Sequence, residues 1–146
     1  MEGVDTVNRV LKEFGDAISL PELKLKDGNW CVLCVDGTQS IQLNYNEQRN
    51  SLDFITEIGA LPDENESKCC DYLLKANAEW EITQGITLSK QLDKNSILLG
   101  YQLPILNLSL DVFEKTFDQF LKQIETWKTY LVQLGQGELP EVLAAY

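Results

Sequence analysis

Cys31 and Cys34 stand in the run Trp30-Cys31-Val32-Leu33-Cys34-Val35, with the C-x-x-C spacing that can bind a metal or cycle as a dithiol. The run is β-type, however, and strand residues three apart project to opposite faces, so these two thiols diverge. Cys69 and Cys70 are neighbours on a helical segment, about 100° apart around its axis, and are equally ill placed to hold one ion. All four cysteines are read as buried, reduced small hydrophobes, and no metal or cofactor is expected. Histidine is absent, which removes the commonest general base, the usual partner of a Ser or Cys nucleophile and the commonest metal ligand. With 23 Asp and Glu among 146 residues, some carboxylate pair suited to glycoside hydrolysis always turns up, so such pairs carry no specificity. Solvated acidic faces are the simpler reading. No G-x-G-x-x-G, Walker-type glycine loop or calcium-loop pattern occurs. No catalytic residue is nominated and the expectation is a protein that is not an enzyme, a small carboxylate-dependent hydrolase being the enzymatic alternative.

Charge narrows the partners. Against those acids stand 12 Lys and Arg, a formal charge of −11 that repels phosphate backbones and anionic membrane surfaces. Neither nucleic acid nor membrane insertion is expected, because no apolar run approaches the roughly 20 residues that span a bilayer. No N-terminal segment has the build of a secretory signal, so the chain is expected to stay in a cytosol.

The elements that must position any site follow from periodicity. Val4, Val7, Leu11, Phe14 and Ile18 recur at 3–4 residue spacing and predict a first helix over about 4–18. Asp27-Gly28 and Asp36-Gly37 are turn signals flanking the apolar run 30–35, and Ile41, Leu43 and Tyr45 alternate with polar residues to complete a hairpin. After a polar loop, Leu52, Phe54, Thr56 and Ile58 mark a third strand. Asp63 stands three residues before Glu66 as in a capping box, predicting a second helix over about 64–80. Its apolar residues cover a wide arc: Cys69, Leu73, Ala76 and Trp80 form one stripe, and Cys70, Leu74 and Ala78 extend it sideways. Such a helix packs on two sides, of which one suits its own domain and the other a second subunit.

Gly85 leads a fourth strand through Ile86 and Leu88, and Ile97, Leu99, Tyr101 and Leu103 form a fifth, ended by Pro104. Leu110, Phe113, Phe117, Leu121, Ile124, Trp127, Leu131 and Leu134 hold a long final helix, with Gly135 at the place of a C-terminal glycine cap. The order α-β-β-β-α-β-β-α, with antiparallel strands and three helices, is an α+β fold. A single domain over residues 1–135 is expected, with 136–146 a short mobile tail in which Val142, Leu143 and Ala144 have the apolar character to dock.

This arrangement resembles the class I chaperones of bacterial type III secretion systems, the Tir-chaperone-like family. The likeness rests on the first helix ending at Phe14-Gly15, on Cys31, Leu33 and Val35 in the first strand, and on Leu61-Pro62 before the second helix. It rests further on Leu73-Leu74 with Ala76-Asn77, on the glycine-led strand Gly85 to Leu88, on Ile97 to Leu103 followed by Pro104, and on the long last helix with Trp127. The resemblance implies a cytosolic homodimer with the second helix at or near its two-fold axis. It implies action without nucleotide hydrolysis, secreted effector proteins as partners, and contact with the export apparatus as a further role. The client segment would lie extended across apolar grooves, often as a strand added to a sheet edge.

An extended client loses conformational entropy on binding, so its receptor must offer apolar surface and unpaired backbone groups. If Cys31, Leu33 and Val35 face the core, Trp30, Val32 and Cys34 line the opposite face and are the client-binding candidates, with Val10 and Ile18 as the other wall of a groove. The alternative is that helices cover both faces of the strand and that Val10 and Ile18 merely widen the core stripe. Cys70, Leu74, Ala78 and Trp80 are the dimer-interface candidates, the alternative being a core role alone. A binding adaptor of related α+β architecture outside secretion is the other function compatible with these residues.

Overall fold

The computed structural model describes residues 2–144, with side chains through Val142. Helix α1 (Glu2–Ala17), strands β1 (Trp30–Val35), β2 (Gln39–Asn46) and β3 (Ser51–Ala60), helix α2 (Glu66–Ala78) and a single turn α3 (Trp80–Thr83) come first. Strands β4 (Thr87–Lys90) and β5 (Ser96–Pro104), helix α4 (Leu110–Gly135) and a closing turn α5 (Glu141–Ala144) follow. The strands form one five-stranded antiparallel sheet in the order β1-β2-β3-β5-β4, so β1 and β4 are its edges. This is the α+β class the sequence predicts, with two short helical turns added. No helix among the described residues is long and apolar enough to cross a membrane.

The chain divides into two compact units, one holding the residues through Ile55 with Gln102–Phe120, the other Thr56–Tyr101 with Leu121 onward. In the first unit, Val7, Val10, Leu11 and Phe14 of α1 are buried, as are Cys31 and Leu33 of β1, Ile41 and Leu43 of β2, and Leu52 and Phe54 of β3. Phe14 meets Phe113 and Phe117 edge-on, with ring centres 4.9 and 5.3 Å away, and Phe54 lies tilted against Phe120 at 5.4 Å. Such pairings add to what area burial alone provides. Phe120 belongs to this buried set although the sequence stripe passes over it to Leu121, which is half-buried.

The end of α1 shows why Phe14 is followed by glycine. Ser19 takes a left-handed conformation (φ 61°), and the Leu20 N–H bonds back to the Gly15 carbonyl at 2.7 Å. A Cβ on Gly15 would collide with the Leu20 carbonyl and with Leu23, so only glycine allows the chain to fold over the helix end.

In the second unit Ile58, Leu61, Cys69, Leu73, Ala76, Leu88, Leu99, Ile124, Trp127 and Leu131 are buried. The Trp127 indole N–H donates to Gln123 Oε1 at 3.1 Å, which satisfies the polar atom of a ring otherwise fully enclosed. Two expectations about helix ends fail here. The capping box does not form: α2 starts at Glu66 after a left-handed Asn65 (φ 64°) that makes no side-chain cap. The Asn65 amide instead donates to the carbonyl of Gly135, serving the end of α4. The glycine cap of α4 is Gly137 (φ 80°) and not Gly135. Gly137 N–H bonds to Leu134 O at 3.1 Å and Glu138 N–H to Gln133 O at 2.8 Å, the paired bonds of a Schellman ending. Gly135 is small for another reason, since a Cβ there would press on Pro62 at 3.1 Å.

The second helix is also shorter than expected. It ends at Ala78, Glu79 is extended (φ −111°, ψ 91°), and Trp80 opens a separate turn closed by Gln84 N–H on Trp80 O at 2.7 Å. Trp80 therefore does not continue the stripe of Cys69, Leu73 and Ala76 and is 81% exposed. In the tail, Pro140 is buried and Val142 exposed, whereas the side chains of Leu143 and Ala144 lie outside the described positions.

Candidate functional site

Strand β1 is a sheet edge whose outward side chains are apolar. Cys31 and Leu33 are buried while Trp30 (37%), Val32 (42%) and Cys34 are exposed, so helices do not cover both faces of this strand in the single chain. The register with β2 pairs Trp30 with Asn44, Val32 with Gln42 and Cys34 with Ser40. The apolar stripe on β1 thus runs beside a polar stripe on β2, where Gln42 and Asn44 bond to each other at 2.9 Å. Exposed sheet faces are ordinarily polar, as β2 is, and edges are ordinarily blunted by charge or proline. The outer face of β1 has neither device.

Backbone groups follow the same alternation. Tyr45 N–H bonds to Asn29 O at 2.8 Å, which fixes residues 31, 33 and 35 as those bonded to β2 and turns the N–H and C=O of Trp30, Val32 and Cys34 toward the free edge. One of these groups is taken: the Trp30 carbonyl accepts from Lys26 N–H at 2.7 Å. Val32 and Cys34 present both backbone groups outward beside exposed apolar side chains.

The other predicted groove wall divides. Val10 is 1% exposed and belongs to the core, so as a surface contact it is withdrawn: its place on α1 faces inward with Val7 and Leu11. Ile18 lies just past the end of α1 and is exposed, together with Leu20, which the periodicity did not single out.

The cysteines also divide. Cys31 is buried and its thiol is pushed up to about 11 by burial, with the Lys26 ammonium pulling weakly the other way. Cys69 is raised by burial and then by neighbouring Cys70. Cys34 is exposed and Cys70 half-buried, which corrects the expectation that all four are enclosed; alternation along β1 and the turn of α2 point them outward. All four are free thiols.

The interface candidates lie on the outer side of the second unit. Leu74 is 70% exposed, Ala78 is exposed and Cys70 half-buried, one helical turn apart along α2. Cys70 and Leu74 border a groove of about 160 Å³ whose other side is Leu88, Ser89 and Lys90 of β4. Trp80 borders a second hollow, of about 480 Å³, with Asn77, Thr83, Gly85, Ile86 and Thr87. Asn77, which sequence reasoning used only as part of a pattern, bonds through its side-chain amide to both backbone groups of Leu88. An asparagine in the last turn of a helix just before a glycine-led strand is the sequence signal for such a contact, but the partner residue is not legible from it.

With this geometry in place, the comparisons with known proteins converge. Residues 9–128 match the model of the Tir chaperone protein (CesT) family, and the chain belongs to that family. Its class is therefore that of the type III secretion chaperones. Among solved structures it is similar to a chain of the ExsC–ExsE complex, with 24% identity, a TM-score of 0.78 and coverage of 88% of this chain and 95% of that one. It is similar also to a chain of the HopA1–SchA chaperone–effector complex (18% identity, TM-score 0.72, 88% and 97% covered). A third likeness is to the structure of the Yersinia pestis type III secretion chaperone SycH with a stable fragment of YscM2 (19% identity, TM-score 0.64, 82% and 98% covered). No curated protein sequence matches the chain.

Proposed function

We propose that the chain is a non-enzymatic secretion chaperone of the bacterial cytosol that binds an extended segment of one or more effector proteins and keeps them soluble and competent for export. The observation that carries this reading is the β1 edge, where the outward-facing backbone groups of Val32 and Cys34, unpaired among the described residues, coincide with the exposed side chains of Trp30, Val32 and Cys34. A strand laid along this edge gains main-chain hydrogen bonds and covers apolar surface at once, the combination by which an unfolded segment is recognised with little regard to its sequence. Ile18 is proposed as a further contact. The SchA structure is a chaperone–effector complex and SycH is a type III secretion chaperone, which supports the same partner class here. The formal charge of −11 keeps an apolar-edged protein soluble and complements a basic client.

The proposed assembly is a homodimer built on Cys70, Leu74, Ala78 and Trp80, and the domain through residue 135 is the folded unit. Contact with the export apparatus belongs to the same reading. Co-purification from the native cytosol with mass spectrometry identifies the client, and limited proteolysis of the complex tests the mode. A client protected along one continuous, non-globular path supports the proposal, and a client that remains a folded domain throughout, with no protected extended segment, overturns it.

A further inference from the structure

The sheet has two edges, and a protein that binds by strand addition must govern both. At β4 the N–H of Leu88 donates to Asn77 Oδ1 at 2.9 Å, and Asn77 Nδ2 donates to the Leu88 carbonyl at 2.7 Å. These two Leu88 groups are the ones that point away from the sheet. Gln91 N–H bonds to Ser96 O at 2.9 Å, which places the ladder bonds to β5 at residues 87, 89 and 91 and turns Leu88 and Lys90 outward. An asparagine amide offers one acceptor and one donor at the spacing of a peptide group, so Asn77 sits where the backbone of an added strand would sit. Just before β4, the Ile86 N–H is also taken, by Thr83 O at 3.2 Å.

We infer that Asn77 is an edge plug: its side chain occupies the pairing positions of Leu88 on β4, bars strand addition there, and leaves β1 as the edge open to a partner strand. The contrast between the edges carries the inference. Leu88 has both outward groups filled by one side chain, whereas Val32 and Cys34 on β1 have no such guard among the described residues. An unguarded edge templates pairing with other chains, including copies of itself. The inference rests on the proposed function only in naming β1 as the edge that serves a client; the closure of β4 is measured without any client.

The test uses the full chain. In Asn77→Ala, which removes both bonds, the Leu88 amide should exchange at least about tenfold faster than in the wild type while the Leu33 amide keeps its rate. In the isosteric Asn77→Asp, which keeps an acceptor for the Leu88 N–H and loses only the donor to its carbonyl, the Leu88 amide should exchange more slowly than in Asn77→Ala. Light scattering should show a concentration-dependent mass above that of the wild type. Adding Lys90→Pro, which removes an outward N–H from the same edge, should cancel that rise. Three results overturn the inference: Leu88 exchange unchanged in Asn77→Ala, no added association, or association that persists with Lys90→Pro. If Asn77→Ala speeds Leu33 as much as Leu88, Asn77 holds the fold as a whole and the plug is likewise refuted. A closed β4 with no client protection on β1 would instead refute the client reading alone.

Discussion

The backbone N–H of Lys26 donates to the carbonyl of Trp30 at 2.7 Å, and the Lys26 ammonium stands 5.0 Å from the centre of the Trp30 ring. The turn before β1 thereby folds back on the strand and fills the first outward acceptor of its edge. A partner strand finds its acceptors and donors at Val32 and Cys34, so the pairing register on β1 has a fixed start. The ammonium over the indole also adds a cation–π attraction that holds the ring in place.

Val32→Pro isolates this edge. Proline is tolerated on an edge strand when its missing N–H would have faced outward, so unfolding free energy should stay within about 1 kcal/mol of the wild type. Affinity for the co-purified client, measured calorimetrically, should fall by about tenfold, whereas Val32→Thr, which keeps the N–H, should bind nearly as the wild type does. Equal affinity in the proline variant would place the client elsewhere.

Packing predicts a sharp contrast within the first unit. Phe113 is fully buried among Phe14, Phe54 and Phe117, and Phe113→Ala should cost about 3–5 kcal/mol in urea unfolding. Leu106, 78% exposed, should tolerate alanine within about 0.5 kcal/mol.

The thiols give a pH-dependent signature. Cys31 is neutral in both states below the ordinary thiol range, and burial holds its folded value at about 11 against 9.0 for a free thiol. As pH rises from 9 toward 11 the unfolded chain ionises this group first, so its contribution to stability is complete below pH 9 and is lost through that interval. Cys31→Ala should remove this part of the alkaline slope. At pH 8, alkylation followed by mass spectrometry should modify exposed Cys34 and spare Cys31.

For the assembly, light scattering should give about twice the chain mass at micromolar concentration. Truncating a central aromatic anchor commonly costs 2 kcal/mol or more, so Trp80→Ala should raise the dimer dissociation constant by at least about 30-fold. Trp80 is 81% exposed in the single chain, and its removal should leave thermal unfolding of the monomer nearly unchanged. A monomeric wild type would remove the dimer from the account.

Much of this was legible in the sequence because hydrophobic period alone encodes it. Strand β1 falls at 30–35 as the apolar run predicts, and alternation correctly separates buried Cys31 and Leu33 from exposed Trp30, Val32 and Cys34. Helix ends were less legible, since they depend on partners distant in the chain. Asn65 serves the Gly135 carbonyl instead of joining a cap, and the chain leaves the helix after Ala78, one residue past Asn77, whose amide is engaged at Leu88. Val10 shows the limit on surfaces: a residue beside a helical stripe faces inward or outward according to how wide the covering layer is, which periodicity does not state. The guarded state of each sheet edge was invisible for the same reason, because strand order and not strand position decides which strands are edges.

The most direct test is amide hydrogen exchange on the chain alone and in complex with its captured client. Strand addition to β1 predicts that the Val32 and Cys34 amides, which face the free edge, become at least about tenfold more protected on binding while Leu33, already bonded to β2, changes little. Unchanged exchange at Val32 and Cys34 in a saturated complex would contradict it.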